Sequence, residues 1–413
     1  MHPSEPLNRT LEAHHKAASI CLSATGRRMF FPTGIPAQAS EAKSADINAT
    51  IGQLTDGAGN AMPLPAISDH LTGIGLEEAT LYTPQGGNKA LRAAWRSRLQ
   101  ESGSCPMSEP FCTVGLTHGL SLLAELFVDD DTDVLLPDPG WGNYDHIFSV
   151  KMDARVHKYP VFQDGQFHTD AIRDALAKVQ TKGVVVLNFP GNPTGYTPTP
   201  AELEPWLQAI RETEKPIVVI CDDAYAGFVY EDGLMPRSPF YELASAPSDR
   251  VLSVKVDGAT KELCFFGGRV GFVTFGTSGD AAEALDAKLK GMARANVSTA
   301  PAVSQALVLS ALRNPELSAQ QAEIFAESFA RYTRLKEVLA KTQLPVVPFN
   351  SGFFALIPVD EDPEALRQRL LKRSVGIVSL PKHKAIRIAF SSTSLADIDK
   401  LVSAIAAEIK EGA

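Results

Sequence analysis

A lysine and an arginine eight residues apart, Lys261 and Arg269, are the pair in this chain best placed for covalent chemistry. They lie in VLSVKVDGATKELCFFGGRVGFVTF (251–275), where two strand-like runs, VLSVKV and RVGFVTF, flank a loop that carries three glycines. A lysine held between strands is open to desolvation, which makes its amine nucleophilic near neutral pH, as a Schiff base to an aldehyde requires. The arginine can return to the same place and fork onto a phosphate. Taken alone, the loop reads equally well as a surface hairpin with two solvated cations. Cys264, inside the same loop, is read as a small apolar filler rather than a nucleophile.

The elements around this loop decide between the two. From about 111 to 275 the chain alternates strand and helix, the pattern of βαβ units and a mainly parallel sheet. Seven strands are expected near FCTVG, DVLLP, RVHKYP, GVVVLNF, IVVICD, VLSVKV and VGFVTF, with helices over 118–128, 143–150, 169–180, 200–214 and 280–293. Ligands of such sheets bind beyond the carboxyl ends of the strands. Those ends offer a complementary set. Leu116 and Thr117 open a helix, where amides and a hydroxyl bind phosphate. Trp141 stands on a proline-glycine turn, Asn192 in the rigid PGNPTG turn, and Asp222, Asp223 and Tyr225 follow IVVIC. Upstream, Gly52 in INATIGQ allows close backbone approach to a ligand, and Tyr82 sits on a loop before the helix of Leu91, Ala94, Trp95 and Leu99.

Beyond about 300 the chain is helical through 318–341. It then runs strand, helix, strand, strand and a final helix over 394–410 for which Ser394 is the expected N-cap. This is an α+β module distinct from the parallel sheet. Residues 1–55 read as an N-terminal arm and part of that smaller domain, 56–314 as the large domain and 315–413 as the C-terminal small domain, with a helix expected over 11–24 of the arm. The net charge of -9, with 39 basic against 48 acidic residues and no basic block, argues against nucleic acid as a partner. No apolar run reaches the length of a signal core or a membrane span, so no membrane association and a cytoplasmic location are expected. Five cysteines, odd in number and never spaced CxxC, fit reduced thiols rather than a disulfide frame or a metal site.

Pyridoxal phosphate demands a lysine, donors for its phosphate, a carboxylate beside the ring nitrogen, a phenol and an amide near the ring hydroxyl, and an aromatic plate. Each has a counterpart at a strand end here. The motifs WGNYDHIF, NFPGNPTG, CDDAYAGF and K-x7-RVGF, in that order, resemble those of the fold type I pyridoxal-phosphate aminotransferases, the aspartate aminotransferase family of class I and II. The resemblance runs from the INATIGQ stretch to the IRIAF strand. It implies an α/β fold with a large domain built on a mainly parallel seven-stranded sheet and a smaller α+β domain.

The resemblance further implies that Lys261 is the Schiff-base lysine and proton shuttle. Asp222 would pair with the ring nitrogen, Tyr225 and Asn192 would meet the ring hydroxyl, and Trp141 would stack on the ring. Arg269, Thr117 and the Leu116 amide would hold the phosphate, Tyr82 would reach it from the neighbouring subunit of a homodimer with shared sites, and Arg387 would bind the substrate α-carboxylate. Asp222 is preferred over Asp223 because it stands three residues before Tyr225, and Lys255 fails the spacing to Arg269. Two departures stand out: Gly258 replaces a serine that donates to phosphate, leaving Thr260 or an amide to do so, and Gly115-Leu116-Thr117 lacks one hydroxyl. Arg294 matches a position from which an arginine crosses the dimer to a distal carboxylate. The implied reaction is ping-pong exchange between an L-amino acid, aspartate or glutamate among them, and a 2-oxo acid such as 2-oxoglutarate. Aromatic or other amino donors, a β-lyase or cyclopropane-forming relative, and a non-catalytic pyridoxal-binding regulator remain alternatives.

Overall fold

Runs such as Val184–Leu187 and Val218–Cys221 are apolar without alternation, the composition of strands covered on both faces. The computed structural model of the chain, which describes residues 2–32, 34–246 and 248–412, places them at the centre of a seven-stranded sheet. Its strands are β1 (Phe111–Val114), β2 (Thr132–Asp138), β3 (Arg155–Pro160), β4 (Lys182–Leu187), β5 (Ile217–Asp222), β6 (Val251–Gly258) and β7 (Val270–Phe275). They lie in the order β1-β7-β6-β5-β4-β2-β3. All neighbours run parallel except β7, which is antiparallel to both β6 and β1. The carboxyl ends of six strands therefore share one edge with the start of β7, and Arg269, one residue before β7, is returned to the edge where Lys261 leaves β6.

Helices cover both faces of the sheet. On one side α1 (Lys89–Ser102) buries Leu91, Trp95 and Leu99 at helical spacing, in one core with Trp206 and Phe272. On the other, α2 (Gly115–Phe127) packs Leu120 and Leu123 against Val254, Val256 and Val273. A further core gathers Phe353, Ile386, Ile388 and Leu401 around a three-stranded antiparallel sheet of β8 (Phe354–Pro358), β9 (Val378–Leu380) and β10 (Ala385–Ala389), with β10 in the middle. Ile47 and Asn48 pair in parallel with Val375 and Gly376, so the segment around residue 50 is laid beside β10. Among the described residues no helix is long and apolar enough to cross a membrane.

Several local expectations are corrected. The helix over 143–150 is instead a π-helix, Asp145–Lys151, whose wider turn lets Tyr144 face Asp222 while Ile147 and Phe148 enter the core. The helix over 169–180 shrinks to Ala171–Leu176, and the one over 11–24 breaks into Glu5–His14, Lys16–Cys21 and Ala24–Arg28. Ser394 does not cap the final helix, which spans Ile398–Gly412; its hydroxyl donates to Asp397 Oδ2 at 2.6 Å in the preceding turn.

The two sheets are joined through the turn after β4. The Gly195 carbonyl accepts from the amides of Asn350 and Ser351 at 2.9 Å each, and the Asn350 side chain brackets the Thr197 backbone. Gly195 has φ +66, and a Cβ there would lie 2.1 Å from the Phe354 carbonyl oxygen. Gly195→Ala is therefore expected to cost about 1–3 kcal/mol and to lower the Tm of the apoprotein by several degrees, read by calorimetry; an unchanged Tm would contradict the close approach.

Candidate active site

At the carboxyl edge of the large sheet, one helical turn, Ala259–Glu262, carries Lys261 off the end of β6. Its Nζ lies 4.8 Å from the centre of the Tyr225 ring. Burial takes its pKa down to about 8; the Asp222 carboxylate opposes that shift and Arg269 assists it. The amine therefore gives up its proton near pH 8, well below the range of a lysine in water, and a neutral fraction is present near neutrality. Cys264 is not a competing nucleophile, since burial pushes its thiol up to about 12.

Asp222 ends β5 and is buried. Its Oδ2 accepts the Tyr144 hydroxyl at 2.5 Å and its Oδ1 the Ala224 amide at 3.2 Å. Burial still raises its pKa to about 6, against the Tyr144 hydrogen bond and the nearby Lys261. Asp223 takes the opposite face of the sheet and pairs with Lys255, so the rejected aspartate and the rejected lysine satisfy each other. Trp141 stands beside this group, edge to face with Tyr144 at 5.4 Å between ring centres.

Asn192 connects the next two residues. Its Nδ2 reaches the Tyr225 hydroxyl at 3.5 Å, and its Oδ1 accepts from Arg387 at 3.1 Å. Arg387, at the middle of β10, is 2% exposed; it donates to the Thr50 carbonyl at 2.6 Å and lies 4.2 Å over the Phe354 ring. Its Nε has no partner, burial lowers its pKa to about 10, and among the described residues no carboxylate pairs with it. Gly52 borders the same place, since a Cβ on it would stand 2.4 Å from Phe354 Cζ.

On the other flank Arg269 takes a left-handed backbone, φ +54, and its guanidinium lies along the start of α2. A Cβ on Gly115, itself at φ +75, would fall 2.3 Å from the guanidinium nitrogen. The first turn of α2, with Leu116 and Thr117, carries no side-chain cap. A Cβ on Gly258 would lie 2.5 Å from the Val270 carbonyl oxygen, so no serine fits there on this backbone. The Thr260 hydroxyl is buried and has no partner among the described residues.

The edge thus brings together Lys261, Asp222, Tyr225, Asn192, Trp141, Arg269, Leu116, Thr117, Arg387 and Gly52. Two expected residues stand apart within the chain. Tyr82 is 90% exposed, and Arg294 is exposed at the end of a helix, donating to Ser298 Oγ at 3.1 Å. Sequence reasoning missed Tyr144, Phe354 and Asn188, whose Nδ2 donates to the Asp222 carbonyl at 2.8 Å. Tyr144 lies inside the quoted WGNYDHIF motif and Asn188 opens NFPGNPTG, but neither position signals a contact with Asp222.

The profile of the family described as aminotransferase class I and II matches residues 45–405. A putative aminotransferase of Bacillus subtilis is 27% identical over 57% of this chain and 58% of its own length. An aspartate aminotransferase of Pyrococcus abyssi is 26% identical over 47% of this chain and 49% of its own length. This chain thus spans just under three fifths of the first of these relatives and just under half of the second. A solved aminotransferase from Anaerococcus prevotii superposes over 94% of this chain and 100% of its own with a TM-score of 0.84 at 22% identity, which establishes a shared fold. With the profile matching from the Ile47 strand to the final helix, the chain belongs to aminotransferase class I and II, a family of pyridoxal-phosphate-dependent enzymes of fold type I.

Proposed function

We propose that this protein moves an amino group from an L-amino acid to a 2-oxo acid such as 2-oxoglutarate, with Lys261 as the covalent lysine. The observation that carries the reading is a buried amine with a pKa near 8, set between the Asp222 carboxylate and the cation that closes the start of α2. The residues present suit pyridoxal phosphate on three counts. Thr260 Oγ1 and Arg387 Nε are buried donors without partners, and the Gly115–Arg269 cradle pairs a guanidinium with an uncapped helix start, a setting for phosphate. Arg269, the Leu116 amide, Thr117 and Thr260 would hold the phosphate, Trp141 the ring face, Asp222 the ring nitrogen, and Tyr225 with Asn192 the ring hydroxyl.

Bound there, the cofactor supplies an aldehyde that condenses with amines and a ring that takes up the electron pair left when a substrate loses its α-proton. The chain does the rest. Arg387 forks onto the substrate α-carboxylate, which gives its unpartnered Nε an acceptor. The Lys261 amine, neutral when freed, takes the α-proton and hands it on as a general base and then acid. Tyr144 and the Ala224 amide keep Asp222 oriented, and their hydrogen bonds favour its ionised form against burial.

A homodimer is part of the proposal, since Tyr82 and Arg294 serve a site only from a neighbouring copy. An Arg294 guanidinium delivered in that way favours aspartate or glutamate; aromatic donors are the second reading. Residues 56–314 are taken as the cofactor-binding domain, 1–55 as an N-terminal arm and part of the smaller domain, and 315–413 as the C-terminal small domain; the core around β8, β9 and β10 supports this. The cytoplasm is taken as the compartment, and five unpaired cysteines support it.

Lys261→Ala is expected to lose the borohydride-reducible link between cofactor and protein, together with at least about 10³-fold in half-reaction rate; a persistent link with turnover would end the proposal. Covalent attachment of cofactor to the apoprotein, followed by absorbance, should speed up about tenfold per pH unit until the Lys261 pKa near 8 and then level off. A flat profile between pH 6 and 8 would contradict the lowered pKa. Arg387→Ala should raise KM about 10²-fold for every amino acid alike. Arg294→Ala should do so for aspartate and glutamate but not for tyrosine or alanine, and equal effects on all four would remove the dicarboxylate assignment.

A further inference from the structure

Asp222 and Lys261 leave adjacent strands, and the backbone pairing between those strands ends just where the two residues begin. The last partners are Asp222 and Val256, followed by the Asp223 amide on the Val256 carbonyl at 2.9 Å. Beyond that point the face of the sheet turned away from Tyr144 carries a cluster that the proposed chemistry leaves unused. Lys255 and Asp257, two apart on β6, and Asp223, at the end of β5, point to this face, and each side chain is 5% exposed or less. Lys255 Nζ bonds Asp223 Oδ2 and lies 3.6 Å from Asp257 Oδ2. The other oxygen of Asp257 accepts from Trp95 Nε1 at 3.1 Å, and Trp95 is stacked on Phe272, the β7 partner of Asp257, at 4.4 Å.

One turn further along α1, Arg98 grips Glu262, the residue after Lys261, at 2.8 Å. Gln321 donates to the Glu262 carbonyl at 2.9 Å. The lysine-bearing turn is thus held from behind at both ends. The flanking Ala259 and Leu263 are buried in the apolar core, and these polar contacts add to that hold. A cavity of about 380 Å³ opens on the same face, lined by Asp223, Lys255, Asp257, Arg98 and Glu262.

Burying ions costs several kcal/mol each, and apolar side chains of equal volume often stabilise such a place as well or better. A cluster kept at that cost calls for a reason other than stability. We infer that Lys255, through Asp223 and Asp257, is a positioning residue for the amino-transfer chemistry: it clamps the ends of β5 and β6 so that Asp222 and Lys261 face each other at a fixed separation. Lys255 is the right cation for this. Burial alone would lower its pKa, but the two carboxylates overcome that and hold it above the ordinary lysine value, so it stays charged above pH 8, where Lys261 gives up its proton.

The inference rests on the reading of Lys261 as the covalent lysine, which the borohydride experiment on the parent decides separately. The test compares holoenzymes. The triple variant Asp223→Asn, Lys255→Met, Asp257→Asn removes the charges and keeps the volumes. The single variant Asp257→Asn keeps the Lys255–Asp223 pair and an acceptor for Trp95. For the triple variant the Tm should stay within about 3 °C of the parent. Its half-reaction rate should fall at least about tenfold at nearly unchanged KM. The pH midpoint of the absorbance of the lysine-bound cofactor should move by about half a unit. The single variant should show smaller changes in the same directions. A folded triple variant with the parent's rate and pH midpoint would overturn the inference. If the triple variant fails to fold, a parent-like rate and midpoint in Asp257→Asn would overturn it equally.

Discussion

Loss of water from the carboxyl edge of the large sheet is the constraint on which the site depends. One cause acts with opposite sign on bases and acids: burial takes Lys261 down to about 8, Arg387 down to about 10 and Asp222 up to about 6. Each shift moves the group toward its neutral form relative to water. Among the described residues Arg387 has backbone and amide oxygens for partners but no carboxylate, and Asp222 has a phenol and a backbone amide. A ligand that brought a cationic ring nitrogen and one that brought a carboxylate would both relieve this desolvation.

Topology turns this into a site. In a wholly parallel sheet the residue before the strand that follows the lysine would start from the far edge. Because β7 runs antiparallel, eight residues suffice to bring Arg269 back beside Gly115, and three glycines make the crossing possible. Gly115 leaves room for the guanidinium, Gly271 lies against the Leu116 amide, and Gly258 lies against β7. The bareness of this corner is what lets a phosphate-sized group meet backbone directly. It also accounts for Gly258 where the family has serine: the close β6–β7 approach excludes a side chain, and the buried Thr260 hydroxyl is the donor left nearby.

Much of this was legible in the sequence because it is local. Seven strands follow from apolar runs of strand length, and the order of the motifs places their chemistry at strand ends, so Lys261, Asp222, Tyr225, Asn192, Arg269 and Arg387 come together as expected. What escaped depends on contacts distant in sequence. Tyr144 reaches Asp222 across 78 positions through a π-helix, a bend with no clear residue signature, where an ordinary helix was expected. Phe354 and the Thr50 carbonyl enter only because a segment near the N-terminus pairs with one near residue 375. Ser394 failed as a cap because its hydroxyl found the Asp397 carboxylate first, a local competition that residue type alone does not decide.

The two faces of the sheet solve different problems with similar residues. Toward the cofactor side, Asp222 and Lys261 stand near each other without a direct ion pair, which keeps the amine titratable and the carboxylate available. Behind it, Asp223 and Lys255 are in direct contact and are quenched as reagents. The period of two along a strand sends neighbouring aspartates to opposite faces, so the doublet Asp222-Asp223 serves both purposes. A buried ion cluster in low dielectric is stiff, because any displacement leaves a buried charge short of its partner. Stiffness on the back face is what an unpaired, reactive arrangement on the front face requires: the groups that must remain free to exchange protons cannot also anchor themselves.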